Sequence, residues 1–329
     1  MHTRRSFLTH SAAFTATYGL LGSTNVFASE KLAQLKLYGP PAGPSAILSY
    51  IAQKQLMSNA VGKVDFATYK SPDSLRAGFL SGEWQLAGTP SYVAANLANK
   101  GLPVKLLNIM TWGMLNVLSY DEKVKRPEDL AGQTIGMFFK NDMPDLVFTR
   151  IMKEKGLTKD KDYKVQYVST PFEALQLLLT GRIQHCVLSE PAVTGALVKS
   201  KKLGKKIYKA FSLSDQWAAV TGGPARFPMA GMMVHNDLVN QHADVVEAFQ
   251  NACETSVDAI AQNPQEAAKI ASAHLKLPAP IIMKSLPNSN LTATRASTVR
   301  EEIEQFYTIL AEDNPAIIGG KLPDTAFYY

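Results

Sequence analysis

The chain has only two cysteines, Cys186 and Cys253, in 329 residues. That excludes a disulfide-stapled scaffold and a cysteine-rich metal or cluster site. After the first thirty residues no apolar run is long enough to cross a bilayer. Neither sign of charge dominates: 34 Lys and Arg stand against 28 Asp and Glu, for a formal charge of +6. The basic runs, such as Lys199 to Lys206, lack interleaved aromatics, so they read as solvated helix ends and not as a nucleic-acid stripe. Enzyme signatures are missing too. Gly39 to Ser45 lacks the Gly-Lys-Ser/Thr of a phosphate loop, and no strand leads into Gly-x-Ser-x-Gly. His185, His235, His242 and His274 are scattered. His185 and Cys186 are neighbours on an expected strand and therefore face opposite ways. We read no metal, no cofactor and no catalytic residue from these patterns.

What is present begins at the N-terminus. Thr3-Arg4-Arg5-Ser6-Phe7-Leu8 fits the twin-arginine export pattern. A weakly apolar stretch from Ser11 to Val26 follows, and Val26-Phe27-Ala28 offers small residues for cleavage after Ala28. The expected product is free in the periplasm, without a lipid-bearing cysteine and without membrane insertion. A hydrophobic content of 46% supplies a real core, and the remaining length suits one large or two ordinary domains.

Short apolar runs alternate with helical patterns, which indicates α/β lobes with mainly parallel sheets. Leu35 to Tyr38 reads as a strand that ends in Gly39-Pro40-Pro41-Ala42-Gly43-Pro44, followed by a helix from Ser45 to Met57. Val64 to Tyr69 alternates as a strand does. An internal repeat stands out. Pro72 opens a helix stopped at Gly82, then come the strand Trp84 to Gly88 and, after Thr89-Pro90, a helix from Ser91 to Asn99. Pro171 opens a helix stopped at Gly181, then come the strand Ile183 to Leu188 and, after Glu190-Pro191, a helix to Lys199. Gln85 and Gln184 both fall three residues after the stopping glycine. Ser71 and Thr170 are matched helix caps, and Thr170 with Glu173 makes a capping box. Leu35 to Met57 likewise echoes Thr134 to Lys155.

These echoes predict two Rossmann-like lobes joined by two crossover segments, with a ligand cleft between them. Residues 29–120 and 229–329 form the first lobe and residues 121–228 the second. The outward crossing is placed at Asp121 to Pro127 and the return at Gly222 to Pro228. The strand Ala230 to His235, helices over His242–Ala261, Asn263–His274 and Thr298–Glu312, and a docked aromatic tail complete the first lobe. The two cysteines fall in different lobes, as free buried thiols.

In open α/β sheets ligands bind beyond the carboxyl ends of the strands, near helix N-termini. Four loops qualify: Gly39 to Ser45, Gly88 to Ser91, Phe138 to Asp142, and Leu188 to Pro191. They make Gly39, Pro40 and Pro90 candidate ligand neighbours. Ser45, Thr89, Ser91 and Asn141 can hydrogen-bond a ligand. Tyr38, Trp112, Phe138, Phe139 and Trp217 can stack on a flat one, although each ring serves equally as core. Lys140 and Arg226 can meet an anion or simply be solvated. Glu190 either accepts from a ligand amine or caps the helix that Pro191 begins.

On Lys125-Arg126-Pro127-Glu128-Asp129-Leu130-Ala131-Gly132-Gln133-Thr134-Ile135-Gly136, Pro171 to Gly181, Ser189-Glu190-Pro191 and Asn236-Asp237-Leu238, the chain resembles the type II periplasmic solute-binding proteins of ABC importers. The branch is the one that binds nitrate, sulfonates, taurine and thiamine pyrimidine precursors. The resemblance implies a monomer that closes by a hinge on a small organic solute, sulfonate-like or heteroaromatic, and delivers it to a permease with an ATPase partner. The dense cysteine motif of related pyrimidine-making proteins is absent. Two other readings remain at this stage: an exported, cofactor-containing enzyme, and a binding module that feeds a receptor.

Overall fold

The computed structural model describes residues 31–69 and 72–329. The export signal and Ser71 lie outside the described residues. The chain starts with β1 (Leu32–Gly39), α1 (Ser45–Lys54), β2 (Val61–Thr68), α2 (Pro72–Leu80), β3 (Leu86–Pro90), α3 (Ser91–Asn99) and β4 (Val104–Trp112). It then runs through β5 (Leu115–Ser119), β6 (Thr134–Phe138), α4 (Met143–Glu154), β7 (Lys164–Val168), α5 (Pro171–Thr180), β8 (His185–Ser189), α6 (Ala192–Lys202), β9 (Tyr208–Ser212) and α7 (Leu213–Thr221). It finishes with β10 (Pro228–His235), α8 (Asn236–Gln241), α9 (Ala243–Gln262), α10 (Pro264–Leu275), α11 (Ala279–Ser285), β11 (Leu291–Arg295) and α12 (Arg300–Asp313).

Two sheets result. The first has the order β11-β4-β10-β3-β1-β2, the second β7-β6-β8-β5-β9. In each, a β-α-β-α-β-α unit lays down three parallel strands, β2-β1-β3 in one and β7-β6-β8 in the other. An antiparallel strand then flanks the third, β10 beside β3 and β5 beside β8. The repeat in the sequence is therefore a repeat in topology. The local signals behind it are visible. Thr170 Oγ1 accepts from Glu173 N at 3.1 Å, and the Glu173 carboxylate reaches back to Ser169 N at 2.8 Å. Such a cap is worth about 1 kcal/mol. Gly181 closes α5 at φ 76°, a conformation open to glycine.

The outward crossing is not where the sequence suggested. β5 pairs with β8 and β9, so it belongs to the second sheet, and the chain changes lobes at Gly113. Asp121 to Pro127 is a surface connection within the second lobe, where Asp129 accepts from Lys125 N and Arg126 N. The apolar pattern of β5 marks a buried strand, but it carries no information on which sheet buries it. Gly113 sits at φ 36°, and a Cβ there would lie 2.4 Å from Ser214 Oγ. Its N–H donates to Phe227 O at 3.0 Å, so the outward and return crossings lie against each other.

Helix α12 spans the seam. Arg226 forks onto Glu302 at 2.9 and 2.7 Å, and Arg150 and Lys153 of α4 pair with Glu312 and Asp313. The tail docks on the first lobe, with Tyr329 N donating to Leu106 O at 3.0 Å. Cys186 and Cys253 are free and buried, and burial pushes both thiols up, away from reactivity.

Candidate ligand cleft

On the first lobe, β3 delivers Gly88-Thr89-Pro90 to the start of α3. Pro90 holds φ −54° and ψ 134° and lacks an N–H, which turns the strand into the helix. No side chain caps α3 and its first turn holds no acid. The end therefore keeps its partial positive charge. Thr89 is fully buried, and its Oγ1 has no hydrogen-bond partner. Such an orphan costs about 1–3 kcal/mol unless something outside the chain satisfies it. Ser91 and Ser45 are occupied: Ser91 Oγ donates to Pro228 O, and Ser45 Oγ to Pro40 O, each at 2.5 Å. Those serines fix the return strand and the proline-rich loop. Gly39 is required there, since a Cβ would stand 2.4 Å from Ser45 Oγ and 2.8 Å from Leu48 Cδ1. Gly88 lies beside Pro40 and Gly39, so the two first-lobe loops meet.

On the second lobe, β6 runs into Phe138-Phe139-Lys140-Asn141-Asp142. Phe139 and Asn141 take left-handed backbone, at φ 60° and 59°. Buried Asp145 holds this bend by accepting from Asn141 N at 2.9 Å and from Tyr167 Oη at 2.9 Å. Phe138 is buried against Phe139, whose ring is 40% exposed and keeps an open surface. Asp142 caps α4 through Met143 N at 2.6 Å and accepts from the first lobe's Tyr92 Oη. Burial raises the Asp142 carboxyl above the usual range, while the bonds from Tyr92 and Met143 and the charge of Arg76 oppose it.

Glu190 is 2% exposed and accepts from Thr194 N at 3.1 Å. It covers the start of α6, as the helix-capping alternative required. Burial raises its carboxyl too. Nearby, Asn116 of β5 lies opposite Leu188, two pairs away from the Glu190 N to Met114 O bond of 3.3 Å. Asn116 is 5% exposed and its Oδ1 is a second orphan. Its signal in the sequence was a lone polar residue inside an apolar strand. Asp142, Tyr92 and Asn116 were not singled out there, because what distinguishes them is a partner, or the lack of one, across the fold.

Three expected stacking rings are committed elsewhere. Tyr38 stacks on Trp84, with centroids 3.7 Å apart and planes 9° apart. Trp112 lies under the Arg226 guanidinium, 4.2 Å from the ring centre. Trp217 packs edge-on against Phe227 and Phe306, at 5.9 and 5.5 Å. Trp112 and Trp217 thus pack against Arg226 and Phe227 of the return crossing. Among the described residues no group of three or more His, Cys, Asp or Glu is placed to hold a metal ion, and no helix is long and apolar enough to cross a membrane.

With this geometry in view, the family described as NMT1/THI5 like has a sequence model that matches residues 59–267. The chain belongs to that family. No curated protein matches it by sequence. Among solved structures it is similar to an ABC transporter protein of Parabacteroides distasonis. That pair shares 22% identity over 91% of this chain and 99% of the other, with a TM-score of 0.71. The alkanesulfonate-binding protein of Xanthomonas axonopodis pv. citri, bound to MOPS, matches at 14% identity over 90% and 96%, with a TM-score of 0.62. The nitrate-binding protein of Synechocystis PCC 6803 matches at 16% over 78% and 70%, with a TM-score of 0.61. These likenesses place this family member in the two-lobed α/β fold of periplasmic binding proteins.

Proposed function

We propose that the protein is the periplasmic substrate-binding component of an ABC importer. It captures a small organic solute between its lobes and presents the closed form to a permease and its ATPase. The observation that carries this reading is the buried, uncapped start of α3 with the unpartnered Thr89 hydroxyl beside it. A helix start of this kind suits an oxyanion or another strong acceptor. The second lobe carries the unpartnered Asn116 Oδ1 on β5, which suits a donor on the solute or a bridging water. A sulfonate-like solute, or a heteroaromatic one with acceptor and donor edges, satisfies both orphans on closure. The alkanesulfonate- and nitrate-binding neighbours support the same class.

Export by the twin-arginine route, with cleavage after Ala28, belongs to the same proposal and rests on Thr3 to Leu8. The pairing of the two crossings and the bond from Tyr92 to Asp142 support hinge closure in a single chain. The test is calorimetry on the purified protein with short alkanesulfonates, nitrate, taurine and small nitrogen heterocycles. Binding by one class, at one solute per chain and weakened about tenfold by Thr89→Val, is the expected result. No heat from any of them, with no thermal stabilisation, would remove the reading.

A further inference from the structure

A cavity opens on the seam between the lobes, along the flank of α3. It holds about 610 Å³ of empty space, part of it open to solvent. Its wall runs down the flank of α3 from Tyr92 to Lys100. Arg76 closes it from α2, and Lys140, Asn141 and Asp142 close it from the second lobe. Three cations therefore face one carboxylate. That carboxylate is committed, because Asp142 already accepts from Tyr92 Oη and Met143 N. Arg76 pairs with Asp73 at 3.0 Å, an exposed pair that solvent weakens and that a stronger anion in the cavity can displace. Lys140 lies over the Tyr167 ring at 5.3 Å, a contact that positions the ammonium without neutralising it.

We infer that this seam cavity is a second binding site, for a compact dianion such as phosphate, a phosphate ester or a small dicarboxylate. Arg76 offers a planar fork and Lys100 a point charge from the first lobe, and Lys140 answers from the second. The Asn141 amide supplies a neutral donor on the same wall. A dianion there ties cations of both lobes together, which favours the closed form. By linkage it also tightens the hold on any solute that selects closure. The site is on the side of α3 and the solute position at its end, so the two are separable by substitution.

The experiment follows thermal unfolding of the purified protein in sodium phosphate, sodium malonate and sodium chloride at equal ionic strength. Phosphate or malonate, at about ten times its dissociation constant, raises Tm by about 2 °C over chloride. The double variant Lys100→Gln with Lys140→Gln loses that rise, while Thr89→Val keeps it. A response to both dianions supports a site read by charge, and a response to phosphate alone supports a phosphate-bearing ligand. Equal Tm in all three salts overturns the inference, as does a rise that survives in the double variant. A rise lost in Thr89→Val also overturns it, since the ion would then sit at the α3 start. None of these results depends on whether an organic solute binds.

Discussion

In the first lobe α3 begins after Pro90 with no side chain over its first amides. In the second, α4 and α6 begin under the carboxylates of Asp142 and Glu190. Each lobe lays down its three parallel strands in the same order, so α3 corresponds to α6 and α1 to α4, and α1 also starts without a side-chain cap. One presents unspent positive charge and the other spent acceptors. A symmetric fold has become a polarised cleft through three residues. The lesson is that the repeat supplies the positions, while the capping residue decides what each position offers a ligand.

The comparison breaks most visibly in the two central sheets. Gly231 of β10 leaves no room for a methyl, since its Cβ would stand 1.9 Å from the Asn108 carbonyl oxygen, a backbone atom. Gly136 of β6 meets the movable end of Ile183 at 2.4 Å and Cys186 Cβ at 3.2 Å, with backbone no nearer than 3.6 Å. Gly231→Ala should cost about 4 kcal/mol and Gly136→Ala about 1, read from denaturant midpoints. Equal costs would mean that the first sheet yields as easily as a side chain does.

The polarity itself is tested by a pair. Thr89→Val should lower solute affinity by about 1–2 kcal/mol while leaving stability unchanged or improved, because it deletes an orphan. Glu190→Ala should lower stability by about 1 kcal/mol, the loss of a cap, with the smaller effect on affinity. If the Glu190 variant loses more affinity, the cleft is polarised the other way. Next comes the contact across the seam. Tyr92→Phe takes a donor from a buried carboxylate and should cost the closed form about 1 kcal/mol. X-ray scattering should then show a larger mean radius, and an unchanged radius would mean that the latch holds nothing.

The smallest effect is a pH dependence. Burial raises the Glu190 carboxyl, so the folded chain holds that proton more tightly than the unfolded chain does. Stability is then lost as pH rises through the raised pKa. Glu190→Gln keeps an acceptor for Thr194 N and removes the ionisation. Its stability relative to the parent should therefore improve by up to about 1 kcal/mol between about pH 4 and pH 7, measured by urea unfolding. A difference that stays flat with pH would show that the carboxylate is solvated in the fold.

Much of this architecture was legible. Strand, turn and helix in both β-α-β-α-β-α units, β7 excepted, followed from period and punctuation, and Thr170, Asn263 and Gly181 bounded helices as their chemistry requires. Asn263 Oδ1 does accept from Glu266 N, but the Glu266 carboxylate turns away to Lys54. Strands β4, β7, β9 and β11 and helices α7, α8 and α11 went unread. They are short or wholly buried segments whose apolar pattern has no period of its own. In the candidate site, the structure sets Gly88 beside Gly39 and Pro40 and joins Tyr92 to Asp142, while roles expected within the loops shifted. Ser45 and Ser91 spend their hydroxyls on Pro40 and Pro228, and Tyr38 spends its ring on Trp84.

The sequence by itself determined the duplicated α/β plan and the helix ends. These depend on interactions within a few residues, which local chemistry settles. Only the tertiary structure decided that β5 serves the second sheet, that Asp142 meets Tyr92, and that Thr89 and Asn116 are left without partners. Each of those facts concerns a contact between distant segments. Whether a buried polar atom is satisfied is a property of everything packed around it, and no single stretch of chain contains that information.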